Sequence, residues 1–212
     1  MFSREKLDYS ATDLPDRVKL SEQESLSAVQ AHLAYMQKRH SVRDFCDAPV
    51  SQEVIDAAIM AAGSAPSGAN HQPWYFVAIS NAQVKHQIRL ASEKEEKKFY
   101  SGGGNDEWIK ALEPIGTDAH KPHLDIAPWL IVVFAQRWGY RDGERIKHYY
   151  VPESVGIATG MLITALHTAG LSCLTHTPNP MKFLNELCNR PDNEKPIMIL
   201  AVGHPADTAT VP

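Results

Sequence analysis

Cysteine is scarce in this chain: Cys46, Cys173 and Cys188 are an odd number among 212 residues, with no paired spacing. That argues against a disulfide framework and against a cysteine-rich metal site, and it fits a reducing, cytoplasmic setting. Excess charge is missing too, since 21 basic against 25 acidic residues leave a net charge of −4. Neither nucleic acid nor an anionic membrane is therefore expected as a partner, and any anion site has to be local. Long apolar runs are absent as well. The longest, about residues 155–174, is broken by His167, Gly170 and several hydroxyls, and reads as a buried helix followed by a strand. Met1-Phe2-Ser3-Arg4-Glu5-Lys6 leads into a polar stretch, so the expectation is a soluble protein without a secretory signal. No Gly-rich dinucleotide fingerprint marks a tightly held NAD(P)H.

What is present, 43% hydrophobic and 22% charged residues, suits one globular domain over residues 1–212. Ser21 and Glu24 have capping-box spacing, and Leu26, Val29, Leu33 and Met36 follow at helical intervals. A second helix is expected from Ser51 to about Gly63, with Val54, Ile55, Ala58, Ile59 and Ala62 on one face. Residues 74–79, 128–134, 171–175 and 197–202 read as strands, while 84–100 and 152–170 read as helices. Residues 101–121 show no sustained period and are the candidate for a mobile lid.

Two stretches concentrate the chemistry. In Arg39-His40-Ser41-Val42-Arg43, two permanently charged forks flank a hydroxyl, which suits either a terminal phosphate or a solvated basic turn. In Pro66-Ser67-Gly68-Ala69-Asn70, a hydroxyl donor, a residue without a side chain and an amide suit either a flat ligand or a rigid helix-to-strand connection. His120 and His123 lie three apart with Pro122 between them and no carboxylate cluster nearby, so no metal is expected there.

Together, Arg39-x-Ser41-Val42-Arg43-x-Phe45, Ala65-Pro66-Ser67-Gly68-Ala69 and Gln72-Pro73-Trp74 resemble the nitroreductase family of flavoproteins. His148-Tyr149-Tyr150, Thr175-His176-Thr177-Pro178 and Gly203-His204-Pro205-Ala206 narrow the resemblance to its iodotyrosine deiodinase branch. It implies an α+β fold, a central, mostly antiparallel sheet flanked by helices, in an intertwined homodimer with shared active sites. Residues 1–36 would form an N-terminal extension and helix, and about 92–122 an active-site lid.

The implied cofactor is FMN, held by Arg39, His40, Ser41, Arg43, Pro66, Ser67, Gly68, Asn70, Thr175, His176 and Thr177. His40 stands where an arginine is common. That leaves Arg39 and Arg43 as the expected main phosphate charges; the branch also carries a basic tail beyond the Ala-Thr-Val-Pro match, and with this sequence stopping at Pro212 either the chain is shortened or its phosphate grip is reduced. The implied reaction is reductive dehalogenation of 3-iodo-L-tyrosine, and of bromo- and chlorotyrosine, with an external reductant. Glu96 would take the substrate ammonium, Lys121 and Tyr100 its carboxylate, and the Ala69 N–H its phenolate oxygen. Thr177 stands where the branch places a hydroxyl near flavin N5, favouring single-electron steps over hydride transfer. Two further readings stay open at this point: an NAD(P)H-dependent nitro, quinone or enone reductase of the same fold, and a non-catalytic flavin or tyrosine sensor.

Overall fold

A strand that is apolar on both faces belongs at the centre of a layered structure. β2 (Trp129–Gln136) is such a strand, buried along all but its last residue. In the computed structural model, which describes residues 10–212, it pairs with β1 (Trp74–Ile79) on one side and β6 (Glu194–Gly203) on the other. β5 (Ser172–His176) completes an all-antiparallel sheet in the order β1-β2-β6-β5. The first nine residues, where the expected N-terminal extension opens, lie outside the described residues.

The strand period of two sends alternate β2 residues to two cores. Ile131 and Val133 pack with Ile55, Ala58 and Ala62 of α2 (Gln52–Gly63) and with Val155, Leu162 and Leu166 of α6 (Val151–Thr168). Leu130, Val132 and Phe134 share the other core with Ile88 of α3 (Ala82–Lys98), Leu124 of α5 (His123–Ile126) and Leu184 of α7 (Phe183–Leu187). The α+β class and the antiparallel sheet flanked by helices are thus as expected.

Local chemistry sets the helix ends. The Asn81 side chain accepts the Val84 N–H at 3.0 Å to start α3. Pro152 stands in the first turn of α6, and Gly170, at φ 76°, turns the chain out after it.

Residues through Lys38 form one compact unit and Arg39–Pro212 another. The first holds α1 (Glu22–Met36), where the Ser21–Glu24 capping box is fully formed. None of the residues of α1 is buried, so Leu26, Val29 and Leu33 present an apolar stripe to solvent.

Two segments differ from expectation. β3 (Trp138–Arg141) and β4 (Glu144–Lys147) form a hairpin around Asp142-Gly143, both at positive φ as a two-residue turn demands. Residues 101–121, expected to lack regular structure, contain α4 (Asp106–Leu112), capped by the Asn105 side chain on the Glu107 N–H at 2.8 Å. A π-turn over Phe99–Gly103 precedes α4, and a 3-10 turn over Glu113–Ile115 follows it and ends at left-handed Gly116. Among the described residues, no helix is long and apolar enough to cross a membrane.

Phe134 is fully buried and its removal leaves a void that β2, held on both edges, closes poorly. Phe134→Ala is expected to cost about 3–5 kcal/mol, read from the urea midpoint; a loss under about 1 kcal/mol would contradict a central role for β2.

Candidate active site

The Arg39–Phe45 segment is fastened by two isolated bridges, one to β5 and one to the chain just after β6. Ser41 makes a parallel bridge with Cys173 of β5, and Phe45 an antiparallel one with Pro205. Val42 and Phe45 are buried, which leaves Arg39 and Arg43 half-buried beside the β5 edge. Arg43 lines a cavity of about 350 Å³ that also receives Thr175, His176 and Thr177 from the end of β5. The opposite wall carries Glu96 from α3, Tyr100 from the π-turn, and Lys121.

These three groups are already in mutual contact range. The Lys121 side chain is almost wholly buried, and its Nζ donates to Thr117 Oγ1 at 2.9 Å and lies 3.5 Å from Glu96 Oε2. An ammonium has three donors, so one remains for a further acceptor. Burial raises the Glu96 pKa above the ordinary carboxylate value, outweighing the attraction of Lys121. Lys121 thus offsets the burial of Glu96 only in part. Burial likewise raises the Tyr100 pKa, with Glu96 adding to it, and the Tyr100 hydroxyl donates to the Thr117 carbonyl at 3.1 Å. Tyr100 reaches the wall because the π-turn rotates the chain at the end of α3.

His176 of the cavity lining meets His123 edge to face, with ring centres 5.9 Å apart. Both are buried, and neither Nε2 has a partner among the described residues. Burial first, then the nearby Lys121 charge, lowers His123 to about 4 and His176 to about 3, so both rings are neutral.

The Pro66–Asn70 loop does not line this cavity, nor do Arg39, His40 and Ser41. Its conformation is unusual: Ala69, Asn70 and Gln72 all have left-handed φ near 50°, which non-glycine residues adopt at a cost. Ser67 Oγ accepts the Gln72 N–H at 2.9 Å, and Ser154 Oγ accepts the Gly68 N–H at 3.1 Å. The close approach that requires glycine at 68 is internal, because a Cβ there would meet the Tyr149 carbonyl oxygen at 2.6 Å. An internal contact thus already demands glycine at 68, whatever approaches the loop from outside.

The sequence reading missed an apolar patch of the cavity wall, Phe99, Trp108, Leu112 and Ile115. Trp108, Leu112 and Ile115 recur at i, i+4 and i+7, a helical signal that the surrounding glycines and polar residues masked. It also missed Glu93, which is buried although it opens a run of charged residues.

The two neutral histidines tie stability to pH. Unfolded, they bind protons below their ordinary value of 6.5, while in the fold they resist until about 4 and about 3. Their contribution is therefore complete above pH 6.5 and is lost as pH falls toward those values. At about pH 5 the loss is on the order of 1–2 kcal/mol per ring. Urea midpoints of wild type and of a His123→Gln, His176→Gln double variant check this: the variant should show a flatter decline, and parallel declines would contradict it.

Comparison with known proteins sets this geometry in a family. The model of the Nitroreductase family matches residues 36–204. Iodotyrosine deiodinase of Haliscomenobacter hydrossis is 49% identical over 191 residues, 90% of this chain and 86% of that protein. Iodotyrosine deiodinase 1 of Homo sapiens is 42% identical over 90% of this chain and 67% of that protein. A crystal structure of oxidized iodotyrosine deiodinase bound to FMN and 3-iodo-L-tyrosine superposes with a TM-score of 0.75 at 32% identity, covering 82% of this chain and 90% of that one. A nitroreductase with bound FMN from Bacteroides fragilis shares the fold alone, with a TM-score of 0.62 at 19% identity over 85% of this chain and 91% of that one. The chain belongs to the nitroreductase family, in its iodotyrosine deiodinase branch.

Proposed function

We propose that this protein is an FMN-dependent oxidoreductase that removes halide reductively from halotyrosines, converting 3-iodo-L-tyrosine to L-tyrosine and iodide. The observation that carries the reading is the pair of buried Lys121 and half-buried Glu96, 3.5 Å apart, in one cavity with Thr177. Burial holds the Glu96 pKa up even beside Lys121, so a further cation would be favoured there, and Lys121 retains a donor, which suits the ammonium and carboxylate of a free amino acid. A nitroaromatic offers neither.

The donor set fits the cofactor. Arg39 and Arg43 place fixed charge on either side of Ser41 for a phosphate, and the exposed hydroxyls of Thr175 and Thr177 stand at the end of β5. The buried Nε2 of His176, without a partner among the described residues, is a further polar atom on that wall. Bound FMN supplies the two electrons that, with one proton, replace the carbon–iodine bond by carbon–hydrogen and release iodide. An external reductant restores it.

The remaining roles fall to side chains and one amide of this chain. Thr177 is assigned to the flavin N5, where its hydroxyl favours electrons delivered one at a time. The amides of Gly68, Asn70, His71 and Gln72 are engaged within the loop or by Ser154, so that of Ala69 is assigned to the substrate phenolate. An ortho halogen acidifies the phenol and so favours the anion that this contact selects. Tyr100 completes the carboxylate site by releasing the Thr117 carbonyl. We assign residues 92–122 as the lid that excludes water over the ligand.

Since Pro66–Asn70 does not line the cavity of its own chain, we assign the protein as a homodimer whose second copy brings this loop to the site. The exposed apolar stripe of α1 and the groove of small residues between α2 and α6 support such an assembly. The three free cysteines, with Cys173 and Cys188 raised to about 11 by burial, suit a reducing cytoplasm.

FMN-loaded protein reduced with dithionite is expected to release iodide from 3-iodotyrosine. Lys121→Ala and Glu96→Ala should each weaken iodotyrosine binding by about 1.5–3 kcal/mol, roughly ten- to a hundredfold, with a much smaller effect on nitrophenol reduction. No iodide from the wild type, or equal losses on both substrates, would contradict the assignment.

A further inference from the structure

We propose that Glu93 is the positioning residue of the amino-acid grip: by accepting the backbone N–H of Lys121, it holds that lysine against Glu96 and the cavity. Lysine carries four rotatable carbons, so a buried ammonium is aimed only if its backbone is fixed. Here it is fixed by a carboxylate. Glu93 Oε1 accepts the Lys121 N–H at 2.8 Å and the Arg89 Nε–H at 2.8 Å, with His120 Nδ1 at 3.2 Å. Arg89 also donates from Nη1 to Asp125 Oδ2 at 2.7 Å, so α3 grips the chain at Lys121 and again four residues later.

Helical spacing explains the division of labour. Glu93 and Glu96 are three apart on α3 and share a face, so one carboxylate takes the lysine's backbone and the other its side chain. An apolar residue at 93 would fill the volume but leave the Lys121 N–H and the Arg89 Nε–H without their acceptor. Burial alone would raise the Glu93 pKa; the Lys121 amide and Arg89 together hold it below the ordinary value, so the acceptor stays ionised. Glu93 itself is not among the residues lining the cavity, and it acts through Lys121.

The ligand in this inference rests on the dehalogenase reading, and the test keeps the two apart. Glu93→Gln keeps the reach of an oxygen acceptor without its charge, whereas Glu93→Asp keeps the charge and withdraws it from the Lys121 amide. The FMN-loaded variants are titrated with 3-iodotyrosine and with 2-iodophenol, which lacks the ammonium and carboxylate, and amide exchange is followed at Lys121. Glu93→Asp should weaken iodotyrosine binding roughly tenfold and iodophenol binding less than about twofold, while Glu93→Gln stays within about threefold for both. The Lys121 amide should exchange faster in Glu93→Asp than in Glu93→Gln. Unchanged iodotyrosine affinity in Glu93→Asp, or parallel weakening of both ligands, would overturn the proposal. If the wild type itself fails to prefer iodotyrosine to iodophenol, the substrate reading falls; equal amide exchange in the two variants would then sink the positioning role on its own.

Discussion

Burying an ammonium ion is costly unless charge and hydrogen bonds around it replace water. Lys121 is buried with one hydroxyl at 2.9 Å and one carboxylate at 3.5 Å, and that carboxylate is itself held above its ordinary pKa by burial. Such a pair is under-satisfied on both sides. A ligand that carries both charges would complement such a pair, as the proposed amino-acid substrate does.

The rest of the structure keeps that pair in place. The two cores on either face of β2 and β6 fix α3, α5 and the end of β5 relative to one another. α3 then supplies Glu96 and, through Glu93 and Arg89, the anchorage of the chain at Lys121 and Asp125. β5 delivers Thr175 and Thr177 to the opposite wall, and its bridge to Ser41 sets Arg43 beside them. The proposed binding groups and the proposed flavin-facing hydroxyls are thus carried by different elements that meet at one cavity, and a short helical segment, α4, adds to its apolar wall.

Much of the fold could be read locally. The Ser21–Glu24 capping box and the apolar run of β2 are present at the expected residues because their signals are short-range. The β3–β4 hairpin was legible in Asp142-Gly143 and was overlooked. Glu93 was not legible at all. The run Glu93-Lys94-Glu95-Glu96-Lys97-Lys98 has the composition of a solvent face, and only the segment carrying Lys121, 28 residues later, covers part of it. Likewise the need for glycine at 68 set by the Tyr149 carbonyl, 81 residues on, could not be read from the local sequence. Such long-range coverings follow from the tertiary arrangement and leave no trace in spacing.

A crystal structure of the FMN-loaded protein with 3-iodotyrosine would test this charge complementarity most directly. It should show the substrate ammonium within hydrogen-bond reach of Glu96, its carboxylate on the Lys121 Nζ, and Glu93 still accepting the Lys121 N–H. An amino-acid end turned to solvent, with Lys121 and Glu96 paired only to each other, would contradict it.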